Sequence, residues 1–332
     1  MKRIIYIFIV FITCISIGKG QNRYLDEIFS EITITENITY ATNIHVLPAL
    51  QGLSPGPIDL KCDIYEPKND SATNRPVIIL AHTGSFLPPV LNGQPTGSKN
   101  DSSIVEQCTR WAKKGYVAIA MTNRLGWNPT STDQNTRTST LLQAAYRGVQ
   151  DARSMIRYMR MTAANGNTYG IDASKIVIGG QGTGAYISLG VATLDTTSKL
   201  FLLKFLDNTD PTSPVPYVIP QIFGNIYGTD STFLPIYDTV PSSPTYGQII
   251  AQLPFNLPNH SSYSSDISMA FNIGGALADI SWLEDGDVPI VSFHCEKDPY
   301  APIDTGDVIV PTTGDFVVEV MGSRTIQDKQ AN

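Results

Sequence analysis

The sequence predicts an α/β fold with a mostly parallel central sheet flanked by helices, on three observations. Apolar runs of strand length alternate with longer stretches of helical spacing. The runs are apolar at successive positions, as in strands buried on both faces. One of them, Ile176-Val177-Ile178, passes through the corner Gly179-Gly180-Gln181-Gly182-Thr183-Gly184 straight into helical sequence.

The first twenty residues are set apart from this fold. Lys2 and Arg3 precede an apolar run from Ile4 to Ile17, and Gly18 and Gly20 follow, the layout of a cleavable secretory leader. The run falls short of the ~20 residues a membrane span needs, so no stable span is expected. The predicted location is secreted, cell-surface or periplasmic. Leaving out that segment, which holds Lys2, Arg3, Lys19 and no acid, moves the formal charge from −7 to −10. An acidic chain without a basic cluster excludes nucleic acid as a partner. Three cysteines remain, Cys62, Cys108 and Cys295; at most one disulfide can form, and burial of all three as small apolar residues is an equal alternative. Asn37, Asn69, Asn100 and Asn259 each stand in an Asn-x-Ser/Thr pattern, which chance alone supplies in so Asn/Ser/Thr-rich a chain.

The elements follow in order. Ile32-Thr33-Ile34-Thr35 and Ile44-His45-Val46-Leu47 read as two short leading strands, and Leu60 to Tyr65 alternates with period two before Pro67, an edge or near-edge strand. Val77 to Ala81 is a buried strand opening into His82-Thr83-Gly84-Ser85-Phe86. Ile104, Val105, Cys108, Trp111 and Ala112 have helical spacing that stops at Gly115, and Tyr116 to Met121 is the next strand. The longest helical pattern runs from Thr140 to about Thr162, with Leu141, Leu142, Ala145, Val149, Ala152, Ile156 and Met159 on one stripe. Between about 196 and 266 periodicity gives way to Pro, Tyr, Phe, Ser and Thr, which predicts a cap inserted into the domain. Met269 to Ile273 and Pro289 to Phe293 resume the buried strands, the second running into His294 and Asp298.

Five segments together resemble the secreted carboxylesterase-like branch of the α/β-hydrolases. Asp63-Ile64-Tyr65-Glu66-Pro67 resembles its D-x-Y-x-P strand, and His82-Thr83-Gly84-Ser85-Phe86 its H-G-G-G-F oxyanion loop. Lys114-Gly115-Tyr116-Val117 with Asn123-Arg124-Leu125-Gly126 is similar to its GYVV…YRLG block, Tyr169-Gly170-Ile171-Asp172 to its yGiD lead-in, and Phe293-His294 with Asp298 to its strand-end H-G-x-x-D. The resemblance covers about residues 58 to 300. It implies that the glycine corner is a nucleophile elbow, G-x-S-x-G, whose strained turn exposes one serine Oγ at the end of the sheet.

The departures bear on function. Gly182 stands at the serine's position and has no attacking atom. Thr183 is one step along, on the first helical turn, where its hydroxyl points elsewhere. Asp298 occupies the position of the triad acid, but none of the four histidines, His45, His82, His260 and His294, follows it. The last strand of the fold and its histidine are therefore expected beyond Asn332. The resemblance gives His82 and His294 structural roles, with His294 the weaker catalytic candidate. The oxyanion hole is built from backbone N–H groups, expected from Gly84 or Ser85 and from Thr183, with His82, Thr83 and Gln181 beside it, and these outlast loss of the nucleophile. No His/Cys/Asp/Glu group has metal-ligand spacing, so neither metal nor cofactor is predicted. The expectation is an exported, esterase-like chain impaired in the serine mechanism, holding a small ester or acyl ligand or a protein partner in the ancestral cleft. The alternatives are an active hydrolase with another nucleophile and a structural or surface-display module.

Overall fold

The computed structural model describes residues 22–331, so the leader read over the first twenty lies outside it. A seven-stranded mixed sheet runs in the order β1 (Ile32–His45), β2 (Gly56–Pro67), β4 (Val117–Met121), β3 (Arg75–Ala81), β5 (Ile171–Gln181), β10 (Met269–Ile273), β11 (Ile290–Phe293). β1 and β2 pair antiparallel, as do β2 and β4, and every later pair is parallel. Three two-stranded pairs stand apart from it: β6 (Leu206–Asp207) with β7 (Val215–Pro216), β8 (Thr232–Tyr237) with β9 (Ile249–Asn256), and β12 (Thr305–Ile309) with β13 (Phe316–Met321). The helices are α1 (Pro89–Asn92), α2 (Ser102–Lys113), α3 (Gln134–Ala164), α4 (Thr183–Thr193), α5 (Pro220–Phe223) and α6 (Ser323–Ala331).

The continuous apolar runs are explained by what lies on each side. Successive residues of a strand face opposite ways. Val77, Ile79 and Ala81 of β3 and Val117, Ile119 and Met121 of β4 join a core with Ala152, Ile156 and Met159 of α3 and Ile187 of α4. Ile78, Leu80, Ala118 and Ala120 face the other way, onto Ile104, Cys108 and Ala112 of α2. Cys62 lies in the first core and Cys108 in the second, so the sheet separates them, while Cys295 is exposed; all three are free thiols.

Several expectations shift. The two leading strands are one strand, β1, whose register slips between Thr35 and Ile38 and again between Thr39 and Ala41, which interrupts its alternation. α3 begins six residues before the expected Thr140 because Asp133 caps it, accepting from Thr136 N at 2.7 Å. The Pro/aromatic stretch after α4 carries the β8–β9 hairpin, which its four prolines and long turn hide from a period count. Phe316 to Met321, whose alternation also marks a strand, pairs with β12 and not with the central sheet.

α3 also does something its apolar stripe does not announce. Gln150, Arg153 and Arg157, spaced i, i+3, i+7, donate to backbone carbonyls of the stretch that follows α4. Gln150 Nε2 reaches Phe223 and Asn225, Arg153 reaches Ile226 and Leu194, and Arg157 reaches Tyr227 and Asn259. A loop buried against a helix must satisfy its carbonyls, and these side chains do so. Arg124 and Asp151 form a fully buried pair at 2.9 Å beneath them, with Arg124 N also donating to the carboxylate.

Candidate active site

The parallel strands β3, β5 and β11 deliver His82, Gly182 and His294 to the same, C-terminal edge of the sheet, the usual ligand edge of open α/β folds. The register pairs Ala81 with Gly180, so Thr83 and Gly182 each lie two residues past the last pair of β3 and β5. Asp298 follows β11, which the sequence shows only as one of the buried strands and which among the described residues is the outermost strand of the sheet. Pairing order is a long-range property that the strand itself does not encode.

Gly182 is the N-cap of α4 with φ 54° and ψ −118°, a conformation costly for residues with a Cβ. The corner is held at both ends: Gly182 N donates to Ile273 O at 2.9 Å, and Gly182 O accepts from Ala185 N and Tyr186 N. Strand and helix meet so closely here that a Cβ on Gly180 would strike the backbone of Gly184. This is a strand–turn–helix elbow carrying glycine at its apex.

The facing loop is equally constrained. Gly84, Ser85 and Phe86 all have positive φ, 116°, 56° and 51°. Asn92 braces them: its Nδ2 lies 3.0 Å from Gly84 O, 3.1 Å from Leu87 O and 2.9 Å from Thr96 O, and its Oδ1 accepts from Gln94 N. The N–H groups of Gly84, Ser85 and Thr183 have no backbone acceptor among the described residues. Gln181 Oε1 accepts from Ser103 Oγ at 2.7 Å, tying the elbow to the start of α2.

The two histidines at this edge are both engaged. His82 is buried with Nδ1 2.6 Å from Thr83 O, and burial lowers its pKa. The His294 side chain is 2 % exposed; Nδ1 meets Ser323 Oγ at 2.7 Å and Nε2 meets Ala301 O at 3.1 Å. A ring nitrogen facing a carbonyl must carry the hydrogen, so Nε2 is the donor. Asn272 Nδ2 donates to the same Ser323 Oγ, completing a chain that fixes the ring. Asp298 lies 3.8 Å from His294 Nε2, but its Oδ1 is committed to Tyr300 N and Ala301 N. Tyr186, one turn into α4, has its phenol pKa raised by desolvation and by the charge of Asp298.

These groups open on one cavity of about 830 Å³. Its polar end carries Thr83, Ser85, Gln181, Thr183, His294 and Asp298, the residues singled out from the sequence, around Gly182. The rest of the wall is largely apolar: Leu141, Leu142 and Val149 of α3, Phe205 and Val218 beyond α4, Trp282, and Val308, Val310, Val318 and Val320 of the β12–β13 hairpin. Strand β12 and the turn after it were missed in the sequence, although Pro311-Thr312-Thr313-Gly314 between two alternating stretches is a turn signal. Of the stretch expected to form a cap, residues up to Val218 reach the cavity, while β8 and β9 contact β1 and α5. Among the described residues no three His, Cys, Asp or Glu side chains are grouped as metal ligands, and no helix is long and apolar enough to cross a membrane.

A family model described as BD-FAE matches residues 62–218. No curated protein sequence matches the chain. Among solved structures it is similar to a thermophilic esterase from the Planctomycetes species Thermogutta terrifontis with propionate bound, at 18 % identity and a TM-score of 0.42 over 74 % of this chain and 70 % of that one. It is also similar to Thermogutta terrifontis esterase 2 phosphorylated by paraoxon, at 17 % identity and 0.44 over 85 % and 76 %. The mixed sheet with its flanking helices, the elbow between β5 and α4, and the matched segment that contains that elbow give this chain an α/β-hydrolase fold.

Proposed function

We propose that this chain is an exported, catalytically impaired α/β-hydrolase that holds an acyl or ester ligand without covalent chemistry. The observation that carries the reading is Gly182: an elbow with its backbone geometry intact and no side chain to attack with. Neither histidine at the sheet edge is placed to act as a general base. His82 is buried and does not line the cavity, and His294 is held through both ring nitrogens.

The machinery for binding remains. The N–H groups of Gly84, Ser85 and Thr183 are available donors for a carbonyl or carboxylate oxygen, and the first turn of α4 favours negative charge there. The apolar wall beyond them suits a hydrocarbon tail, and a concave pocket of this volume favours a small ligand over a protein partner. The leader-like first twenty residues support export. The rival reading, an active hydrolase with another nucleophile, draws on the same donors and on Asp298, but it needs an attacking oxygen that this site does not offer at residue 182.

Octanoate is a suitable probe. Its ten non-hydrogen atoms at roughly 0.5 kcal/mol each give about −5 kcal/mol, a Kd near ~0.2 mM. Calorimetric titration of the purified protein should show one saturable site of that order, abolished when the cavity is filled by Val149→Trp. Absence of saturable binding would sink the ligand reading.

A further inference from the structure

We infer that Thr83 has taken the place of the missing nucleophile: its side chain fills the space a residue at 182 would use, and its hydroxyl serves as the side-chain donor for the ligand's oxygen. The first half rests on geometry alone, and the second rests on the ligand reading above.

A Cβ on Gly182 would fall inside contact distance of Thr83 Oγ1 and 3.1 Å from Thr83 Cβ. The clashing atom is therefore the Cβ that serine, or any residue but glycine, brings to the elbow, and it meets a short β-branched side chain rather than the end of a long one. Thr83 cannot withdraw along the chain. His82 before it is buried, with its ring bonded to Thr83 O. Gly84 after it packs so tightly on Gly97 that a Cβ there would overlap the Gly97 Cα. The segment it resembles, H-G-G-G-F, has glycine at this position, so the β-branched side chain here and the empty elbow opposite are complementary changes in two neighbouring loops.

The hydroxyl is placed to be used. Thr83 and Thr183 both line the polar end of the cavity. Thr83 Oγ1 makes no hydrogen bond to another side chain or to the backbone among the described residues, which leaves it able to donate to a carbonyl or carboxylate oxygen held at the mouth of α4. The cleft thus exchanges a nucleophilic oxygen on one loop for a hydrogen-bonding oxygen on the other, and restoring residue 182 alone puts two side chains in one space.

A double-substitution cycle separates the two halves. Gly182→Ala, which adds only the Cβ, should lower the unfolding midpoint by roughly 2–5 °C when Thr83 is present and by less than half as much in the Thr83→Gly background. Equal drops in both backgrounds would overturn the shared-space assignment. Should Gly182→Ala fail to yield soluble protein, its recovery by Thr83→Gly supports the assignment, and persistent failure of the pair counts against it. Thr83→Val keeps the shape and removes the hydroxyl; it should weaken octanoate binding roughly tenfold or more with little change in midpoint. Unchanged affinity would overturn the donor role. If octanoate does not bind the unaltered chain, the ligand reading fails while the cycle still decides who occupies the elbow.

Discussion

Replacing Asn92 by alanine should loosen the loop that faces the elbow. The Asn92 amide stands within 2.9–3.1 Å of the carbonyls of Gly84, Leu87 and Thr96, and its Oδ1 accepts from Gln94 N at 2.7 Å. An NH₂ group has two hydrogens, so two of the three carbonyl contacts are full bonds at any moment. With Oδ1 that makes three bonds lost, each worth about 1 kcal/mol net. Gly84 O keeps a second partner in Leu87 N, which offsets part of the desolvation. The expected loss is about 2–3 kcal/mol, or roughly 3–5 °C in a chain of this size. Urea or thermal unfolding measures it, and hydrogen exchange localises it: the amides of residues 84–97 should exchange faster while those of β3 and β5 are unchanged. Octanoate affinity should fall too, because the N–H groups of Gly84 and Ser85 are aimed by this loop. Asn92→Asp is the sharper control, since it keeps the bond from Gln94 N but turns a donor toward three carbonyls into a negative charge; it should cost more than alanine. A loss below ~0.5 kcal/mol for both variants would refute the bracing argument.

Two more outcomes follow from other side chains. Asp70 accepts from Arg23 Nη1 and Nη2 at 3.0 and 2.5 Å, and this holds its carboxyl below the usual range. With the folded value below the unfolded one, the contribution is complete above about pH 4 and disappears as pH falls through the lower folded value. Asp70→Asn should therefore cost about 1.5–3 kcal/mol at pH 7 and converge on the parent in acid, measured as unfolding free energy against pH; a constant difference across the range would refute it. Of the three described thiols, Cys295 alone is exposed, while burial pushes the Cys62 thiol up to about 12 and raises that of Cys108 further. Iodoacetamide on the folded protein should modify Cys295 and spare the other two, and because Cys295 lines the cavity, the adduct should compete with octanoate.

What was legible in the sequence is what local composition enforces. β3, β4 and β5 are buried on both faces, so each of their residues had to be apolar and the runs could be read directly. The elbow was legible because close packing of strand on helix demands small residues at Gly180 and Gly184, which left Gly182 conspicuous between them. β1 was split in two because its register shifts break the alternation that marks a strand. The Arg153 and Arg157 anchors, the Asn92 brace and the seat of His294 were out of reach, since each is a contact with a carbonyl or hydroxyl whose position depends on the finished fold. His294 meets Ser323, 29 residues on, and nothing around either residue announces the pairing. That the strand before Asp298 is the outermost described one was not legible either, because strand order is decided by crossovers.

The central claim, a cleft that binds without attacking, is tested most directly by the intact mass of the purified protein after incubation with a serine-reactive fluorophosphonate, read beside hydrolysis of p-nitrophenyl octanoate. Removing the nucleophile of such a unit removes most of what the unit contributes. The account predicts an unchanged mass and hydrolysis within a small multiple of the uncatalysed rate, in the same sample that binds octanoate. A single phosphonyl adduct mapped to Thr83, Ser85 or Thr183, with rapid turnover lost when that residue is substituted, would contradict it and name the attacking oxygen.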